Sequence, residues 1–209
     1  MNQTITITGE VKYIWNNDTG PRKTIVIMTQ YINPITGQVI ETNHTVNLWN
    51  GWGDNFTNQE GDIITVCGEL TPEEYRDNQG RKVHSTRIQA NNIYQIDKGF
   101  YLNEAELTGV VYKKVDFKTK NDIPGVAVWI CVTKTVKGKK YNYFHNVVMF
   151  GEESIDFTEK VHDRSIITVR GRLAYQKDSY GQYRSKVIAD PCTWHLLGQK
   201  PKTNQDKVA

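Results

Sequence analysis

The sequence predicts an all-β chain of two tandem five-stranded barrels, each with a short helix or loop between its third and fourth strands. Three observations carry this. The first is an internal repeat. Ile63-Ile64-Thr65-Val66-Cys67-Gly68-Glu69-Leu70 returns as Ile166-Ile167-Thr168-Val169-Arg170-Gly171-Arg172-Leu173. His44-Thr45-Val46-Asn47-Leu48-Trp49 returns as His145-Asn146-Val147-Val148-Met149-Phe150, and Thr8-Gly9-Glu10-Val11 as Thr108-Gly109-Val110-Val111. The offsets are 103, 101 and 100 residues, in one order, which marks a duplicated domain. The second observation is two-residue alternation of apolar and polar side chains along the repeated segments, the period of a half-buried strand. The third is a polar insert at the same place in each copy.

The elements follow in order. In the first copy Ile5, Ile7, Gly9, Val11 and Tyr13 alternate with Thr6, Thr8, Glu10 and Lys12, so the odd positions are predicted to face inward. Residues 23–31 form a β-branched second strand. Asn33-Pro34-Ile35-Thr36-Gly37 has the Pro and Gly of a tight reversal. A third strand spans about 38–49, a polar loop or short helix 50–60, and a fourth strand 62–70. Asp77-Asn78-Gln79-Gly80 tips a hairpin, and 81–96 is the fifth strand. The second copy gives strands at about 104–115, 125–136, 140–150, 164–175 and 183–197. Its insert, 152–162, can form a short helix with Ile155 and Val161 inward. Asp178-Ser179-Tyr180-Gly181 tips its last hairpin. The domains are predicted as 1–98 and 99–197, linked near 97–101, with a polar disordered tail at 198–209.

Five strands with a helical insert between the third and fourth is the element order of an OB-fold, a small partly open Greek-key barrel. Gly9 and Gly109 suit it, because a barrel strand must bend sharply. The chain has 209 residues, and each half is long enough to bury its own core. A hydrophobic fraction of 38% with 23% charged residues is ordinary for a soluble globular chain. No apolar run approaches the roughly 18 residues of a membrane span, and the N-terminus lacks the pattern of a secretory signal. Cys67, Cys131 and Cys192 are far apart and form no CxxC pair, so no disulfide framework or zinc site is indicated, and the setting is read as reducing and cytoplasmic. There is no P-loop, nucleophile elbow or HExxH. Neither an enzyme nor a cofactor is expected. Residues 1–100 carry 8 Lys/Arg against 11 Asp/Glu, and residues 101–209 carry 18 against 12. A polyanion would be drawn first to the second copy.

These residues resemble one family, the bacterial-type single-stranded DNA-binding proteins. Phe144-His145-Asn146-Val147-Val148-Met149-Phe150-Gly151-Glu152 is similar to that family's aromatic-His-x-Val-Val-x-Phe-Gly strand. Val169-Arg170-Gly171-Arg172-Leu173 and Val66-Cys67-Gly68-Glu69-Leu70 resemble its G-x-L strand. Tyr75-Arg76-Asp77-Asn78-Gln79-Gly80 resembles its aromatic hairpin, and Tyr31, six residues before Gly37, sits where the family has a stacking aromatic. Most members carry one barrel and form tetramers. Two barrels per chain look like the tandem versions, which reach four barrels by dimerising, so a homodimer is expected. The chain ends Lys200-Pro201-Lys202-Thr203-Asn204-Gln205-Asp206-Lys207-Val208-Ala209, without the family's acidic tip that recruits replication and repair proteins. A compact tandem form without that tip would suit a phage, acting in a host cytoplasm, or a mobile element.

A single strand exposes base faces and a charged backbone, so its binder needs aromatic platforms beside cations. In the second copy Phe144 and Phe150 match the family's stacking positions and share one strand face. Lys134, Lys139, Lys140, Arg170, Arg172, Lys177 and Arg184 lie on neighbouring strands and hairpins, with Tyr175 and Tyr180 near the last hairpin. In the first copy Tyr31, Trp49 and Tyr75 are the matching aromatics, with Arg76 and Arg81 among the cations. Asn43 stands where the second copy has Phe144, so the first copy is expected to bind more weakly. Trp129, between Val128 and Ile130, is read as core, as is Trp194; Trp15 and Trp52 are left unassigned. His44 and His145 occupy equivalent positions, which the resemblance places at an oligomer interface rather than at a metal.

The expected function is sequence-independent binding and protection of single-stranded DNA in replication, recombination or repair. Two alternatives stand beside it: an OB-fold accessory that holds protein partners in such a complex, and a single-stranded RNA binder, since stacking does not distinguish the sugars.

Overall fold

The computed structural model describes residues 2–18, 20–21, 23–33, 37–76, 80, 82–96, 100–178 and 181–200. The first copy contributes β1 (Asn2–Asn16), β2 (Lys23–Ile32), β3 (Val39–Leu48), α1 (Asn50–Asp54), β4 (Ile63–Arg76) and β5 (Lys82–Gln95). The second contributes β6 (Leu102–Lys118), β7 (Pro124–Val136), β8 (Lys139–Phe150), α2 (Glu152–Lys160), β9 (Ser165–Lys177) and β10 (Tyr183–Gln199). The strand and helix order is the expected one in both. By compactness the chain divides into two units: one holds Gln3–Ala105 with the hairpin segment Leu173–Ser185, the other Glu106–Arg172 with Lys186 onward.

The pairing closes each copy on itself. In the first, β1 is antiparallel to β2 and β4, β2 to β3 and β4 to β5, and β3 lies parallel to β5 through Val46↔Ile88 and Asn47↔Gln89. In the second, β6 pairs with β7 and β9, β7 with β8, and β8 lies parallel to β10 through Val187↔Val147 and Ile188↔Val148. The parallel contact of two residue pairs closes each ring and leaves the barrel partly open. Ile5, Ile7, Ile27, Leu48, Ile64 and Ile88 are fully buried in the first copy, and Leu107, Val128, Ile130, Val147 and Phe157 in the second. This burial is the main driving force for each barrel.

Glycine is obligatory where strands cross. A Cβ on Gly9 would overlap the Met28 carbonyl, and one on Gly109 would sit 2.6 Å from the Cys131 oxygen. Gly68 and Gly171 are pressed against the Gln89 and Ile188 carbonyls in the same way. Just past Gly9 and Gly109 the register slips, between Val11 and Tyr13 and between Val111 and Lys113. These bulges bend the strands and re-aim the side chains that follow.

The bulge overturns one expectation. Strict alternation points Tyr13 inward, but past the slip it is 55% exposed. The α2 insert differs in another detail. Ser154, Phe157 and Val161 are its buried positions, one helical face by spacing, and Ile155 falls off that face and is exposed. Lys114 Nζ donates to the Thr158 and Val161 carbonyls at 2.6 and 2.7 Å, satisfying the C-terminal end of α2 from β6. The last strand also runs further than expected: Gly198 and Gln199 belong to β10 rather than to a tail. Residues 97–99 of the linker, 77–79 of a hairpin tip and 201–209 lie outside the described residues.

Candidate nucleic-acid interface

The outer face of β6, β7 and β8 carries a ladder of aromatic rings. Its positions follow from register. Phe144 pairs with Cys131, Asn146 with Trp129 and Phe150 with Gly125, while Lys113 pairs with Trp129 and Phe117 with Gly125. Directly paired residues share a face, and so do residues two apart on one strand. Val128 and Ile130, the neighbours of Trp129, are fully buried, so Trp129 faces outward and is half-buried. The reading of Trp129 as core is thereby corrected.

At one end of the ladder the Tyr112 and Phe144 rings meet edge-on with centroids 5.1 Å apart, and both are more than half exposed. In the middle the Lys113 ammonium lies 5.7 Å from the centre of the Trp129 ring, within cation–π range. At the other end Phe117 and Phe150 meet at 88° with centroids 5.8 Å apart. They meet over Gly125, where a Cβ would stand 2.5 Å from Phe117 Cζ. From Gly125 to Cys131 the strand rises about 20 Å at roughly 3.3 Å per residue. Beyond Phe144 the β7–β8 hairpin presents Lys134, Lys139 and Lys140, all exposed, with Tyr141 across from Lys134.

The first copy is built differently. Lys12, Val26 and Asn43 stand at the positions of Tyr112, Trp129 and Phe144. Val26 and Met28 are buried, so β2 is covered on both faces where β7 is open on one. Of its exposed aromatics, Trp49 holds the position of Phe150 and Tyr13 that of Lys113. Tyr13 and Trp15, two apart on β1, stack with centroids 5.8 Å apart at 22°. Trp49 and Trp52 flank the start of α1, both partly exposed, and Tyr31 is half-buried on β2. Arg76 donates to the Gly80 carbonyl at 2.8 Å. The Tyr75 ring, Arg81 and Tyr180 lie outside the described residues.

The remaining expected residues lie off the ladder. Arg170 and Arg172 alternate with buried Val169, Gly171 and Leu173 on β9, whose neighbours are β6 and β10. Lys177 sits 5.1 Å from the Tyr183 ring centre, and Arg184 pairs with Asp178 at 3.0 Å. Tyr175 turns toward His44, its hydroxyl 3.5 Å from Nδ1 and the rings 5.7 Å apart. Burial raises the Tyr175 phenol and lowers His44 to about 3 and His145 to about 4. His44 Nε2 is 2.9 Å from Thr29 Oγ1. Among the described residues His145 Nε2 has no hydrogen-bond partner; Val132 stands where the first copy has Thr29. Trp194 is half-buried against Phe157, its Nε1 donating to Glu153 at 2.9 Å. Among the described residues no cluster of three His, Cys, Asp or Glu could hold a metal ion, and no helix is long and apolar enough to cross a membrane.

Sequence reasoning passed over Tyr112, Lys113 and Phe117 and placed Trp129 in the core. The signal for Trp129 was present, since buried Val128 and Ile130 force the residue between them outward. The signal for Tyr112 was not, because the bulge that re-aims it is a property of the closed barrel.

No protein-family model matches this chain, and no curated protein sequence matches it. The solved structures do. The wild-type single-stranded DNA binding protein of Thermus aquaticus superposes with a TM-score of 0.72 at 16% identity, covering 100% of this chain and 98% of its own. A deletion variant of the same protein gives 0.72 at 17% identity, over 97% and 98% of the two chains. A phage source gains no support from these likenesses. Over its full length this chain therefore has the tandem OB-fold architecture of the Thermus aquaticus protein.

Proposed function

We propose that this chain binds single-stranded DNA without reading its sequence, holding bases on aromatic rings and phosphates on lysines. The observation that carries the reading is the outward-facing ladder of Tyr112–Phe144, Trp129 and Phe117–Phe150, with Tyr112, Phe144 and Phe150 exposed, Lys113 on its central ring and Lys134, Lys139 and Lys140 at one end. Exposed aromatics in such a row are costly on a surface that meets only water. They suit a partner that offers stacking faces and negative charge. The fold shared with a protein named for single-stranded DNA binding supports the same reading.

The second copy is the main platform, since the first has Lys12, Val26 and Asn43 at the ladder positions. Tyr13, Trp15 and Trp49 give the first copy a smaller surface. The role is that of a binding protein in replication, recombination or repair, with a homodimer as its working form. Tryptophan-fluorescence titration with oligo(dT) against duplex DNA and oligo(U), at two salt concentrations, tests it. Salt-sensitive quenching selective for the DNA single strand is expected. Absent or duplex-equal quenching would sink the reading.

A further inference from the structure

A cavity of about 460 Å³ opens beside the far end of the ladder, between the β6–β7 hairpin and α2. That size lies within the roughly 300–1,000 Å³ of small-ligand sites. Its walls are mostly apolar and include Phe117, Pro124, Gly125 and Ile155. Phe117 belongs to both features: it lines the cavity and meets the ring of Phe150 edge-on. Gly125 holds that wall in place, because any larger residue there would displace the Phe117 ring. At the matching position the first copy has Asn17, whose amide donates to Pro21 O and Thr24 Oγ1.

The polar groups at the cavity are mismatched to a phosphate. Asp116 and Glu159 are exposed carboxylates and would repel it. They are also acceptors only. The two hydroxyls present have already donated their protons, Ser154 to the Gly151 carbonyl at 2.6 Å and Thr158 to Asp116 at 2.9 Å. Among the described lining residues the ammonium is that of Lys118, 4.0 Å from Asp122. The cavity thus presents an aromatic wall, an aliphatic wall and a rim of acceptors.

We propose that this cavity is a base pocket that takes one unstacked nucleobase carrying an exocyclic amine. Cytosine, adenine and guanine each bring such an amine to the carboxylates; thymine brings carbonyl oxygens at the same edge. The inference rests on the single-strand reading above and adds to the sequence-independent ladder one site that prefers amine-bearing bases. A strand stacked on Phe150 would bring its next base to the neighbouring wall of Phe117.

Anisotropy titrations with labelled oligo(dC) and oligo(dT) of equal length test it. The proteins compared are wild type, Ile155→Trp, Glu159→Gln and Phe144→Ala. Ile155 is exposed, so Trp fills the cavity without entering the core. Ile155→Trp should weaken oligo(dC) binding by roughly tenfold and leave oligo(dT) within about twofold, on the scale of a single base–aromatic stack. Glu159→Gln keeps the shape and should narrow the dC-to-dT ratio. Phe144→Ala should weaken both oligonucleotides alike. If Ile155→Trp changes both by one factor, or neither, the pocket is overturned while the ladder stands. If it leaves DNA binding intact but releases a bound protein, the cavity is a protein-docking groove and the proposal is likewise overturned. A wild type that binds neither strand overturns the ladder and the pocket together.

Discussion

The Tyr112 ring meets the Phe144 ring edge-on at 5.1 Å, although the two residues sit on strands separated by β7. The edge-on contact favours one relative orientation of the two rings, and pre-orientation lowers the entropy cost of binding. Phe144→Ala is expected to weaken oligo(dT) binding by about 1–3 kcal/mol, with unchanged far-UV circular dichroism. Tyr13→Ala in the first copy should cost less. Equal losses from the two variants, measured by fluorescence titration, would show that the copies share the work.

The lysine hairpin makes a separate prediction. Lys139 and Lys140 are exposed, so their contribution is electrostatic rather than structural. Removing one lysine–phosphate interaction should flatten the slope of log K against log salt by about 0.7. The double substitution Lys139→Ala, Lys140→Ala is expected to reduce the slope by about 1.4 on that basis, with little change in thermal stability. A steeper or unaltered slope would remove this hairpin from the interface.

Buried histidines give the fold a pH dependence. Burial holds His44 at about 3 and His145 at about 4, below the ordinary value near 6.5. The unfolded chain therefore binds more protons below pH 6.5. The stability contributed by the neutral rings is fully present above that pH and is lost as pH falls toward 4, by about 1.4 kcal/mol per pH unit for each histidine. His145→Leu should shallow this loss in urea unfolding between pH 6.5 and 4.5. It should also cost little at pH 7, since the Nε2 it removes has no partner among the described residues. An unchanged pH slope would mean that His145 is not buried in solution.

Strand-crossing glycines should be among the least tolerant positions. A Cβ at Gly171 would collide with the Ile188 carbonyl, a backbone atom that cannot rotate away. Gly171→Ala is expected to destabilise by at least about 1–3 kcal/mol, the usual cost of overpacking. Gly138→Ala meets no atom but has a positive φ of 77°, and should cost only backbone strain of about 1–2 kcal/mol. Denaturant midpoints for the two variants check the ranking.

Much of the architecture was legible in the amino-acid order, because it is written in local and repeated signals. Two-residue alternation, the glycines at 9, 68, 109 and 171, and the recurring His-x-Val strand specify ten strands and two helical inserts. Those signals depend on each residue and its near neighbours, and the barrels follow from them. The surface was less legible. Which face Tyr13 and Tyr112 present depends on a bulge that exists only once a bent strand must pair with two neighbours. Phe117 reaches Phe150 only because Gly125 lies between them in the register of three strands. Tyr175 comes to His44 across 131 residues of chain. Sequence alone determined a duplicated, partly open β-barrel fold with a basic second half. Tertiary structure decided which aromatics form the ladder, because pairing across strands, not spacing along one, sets which rings share a face.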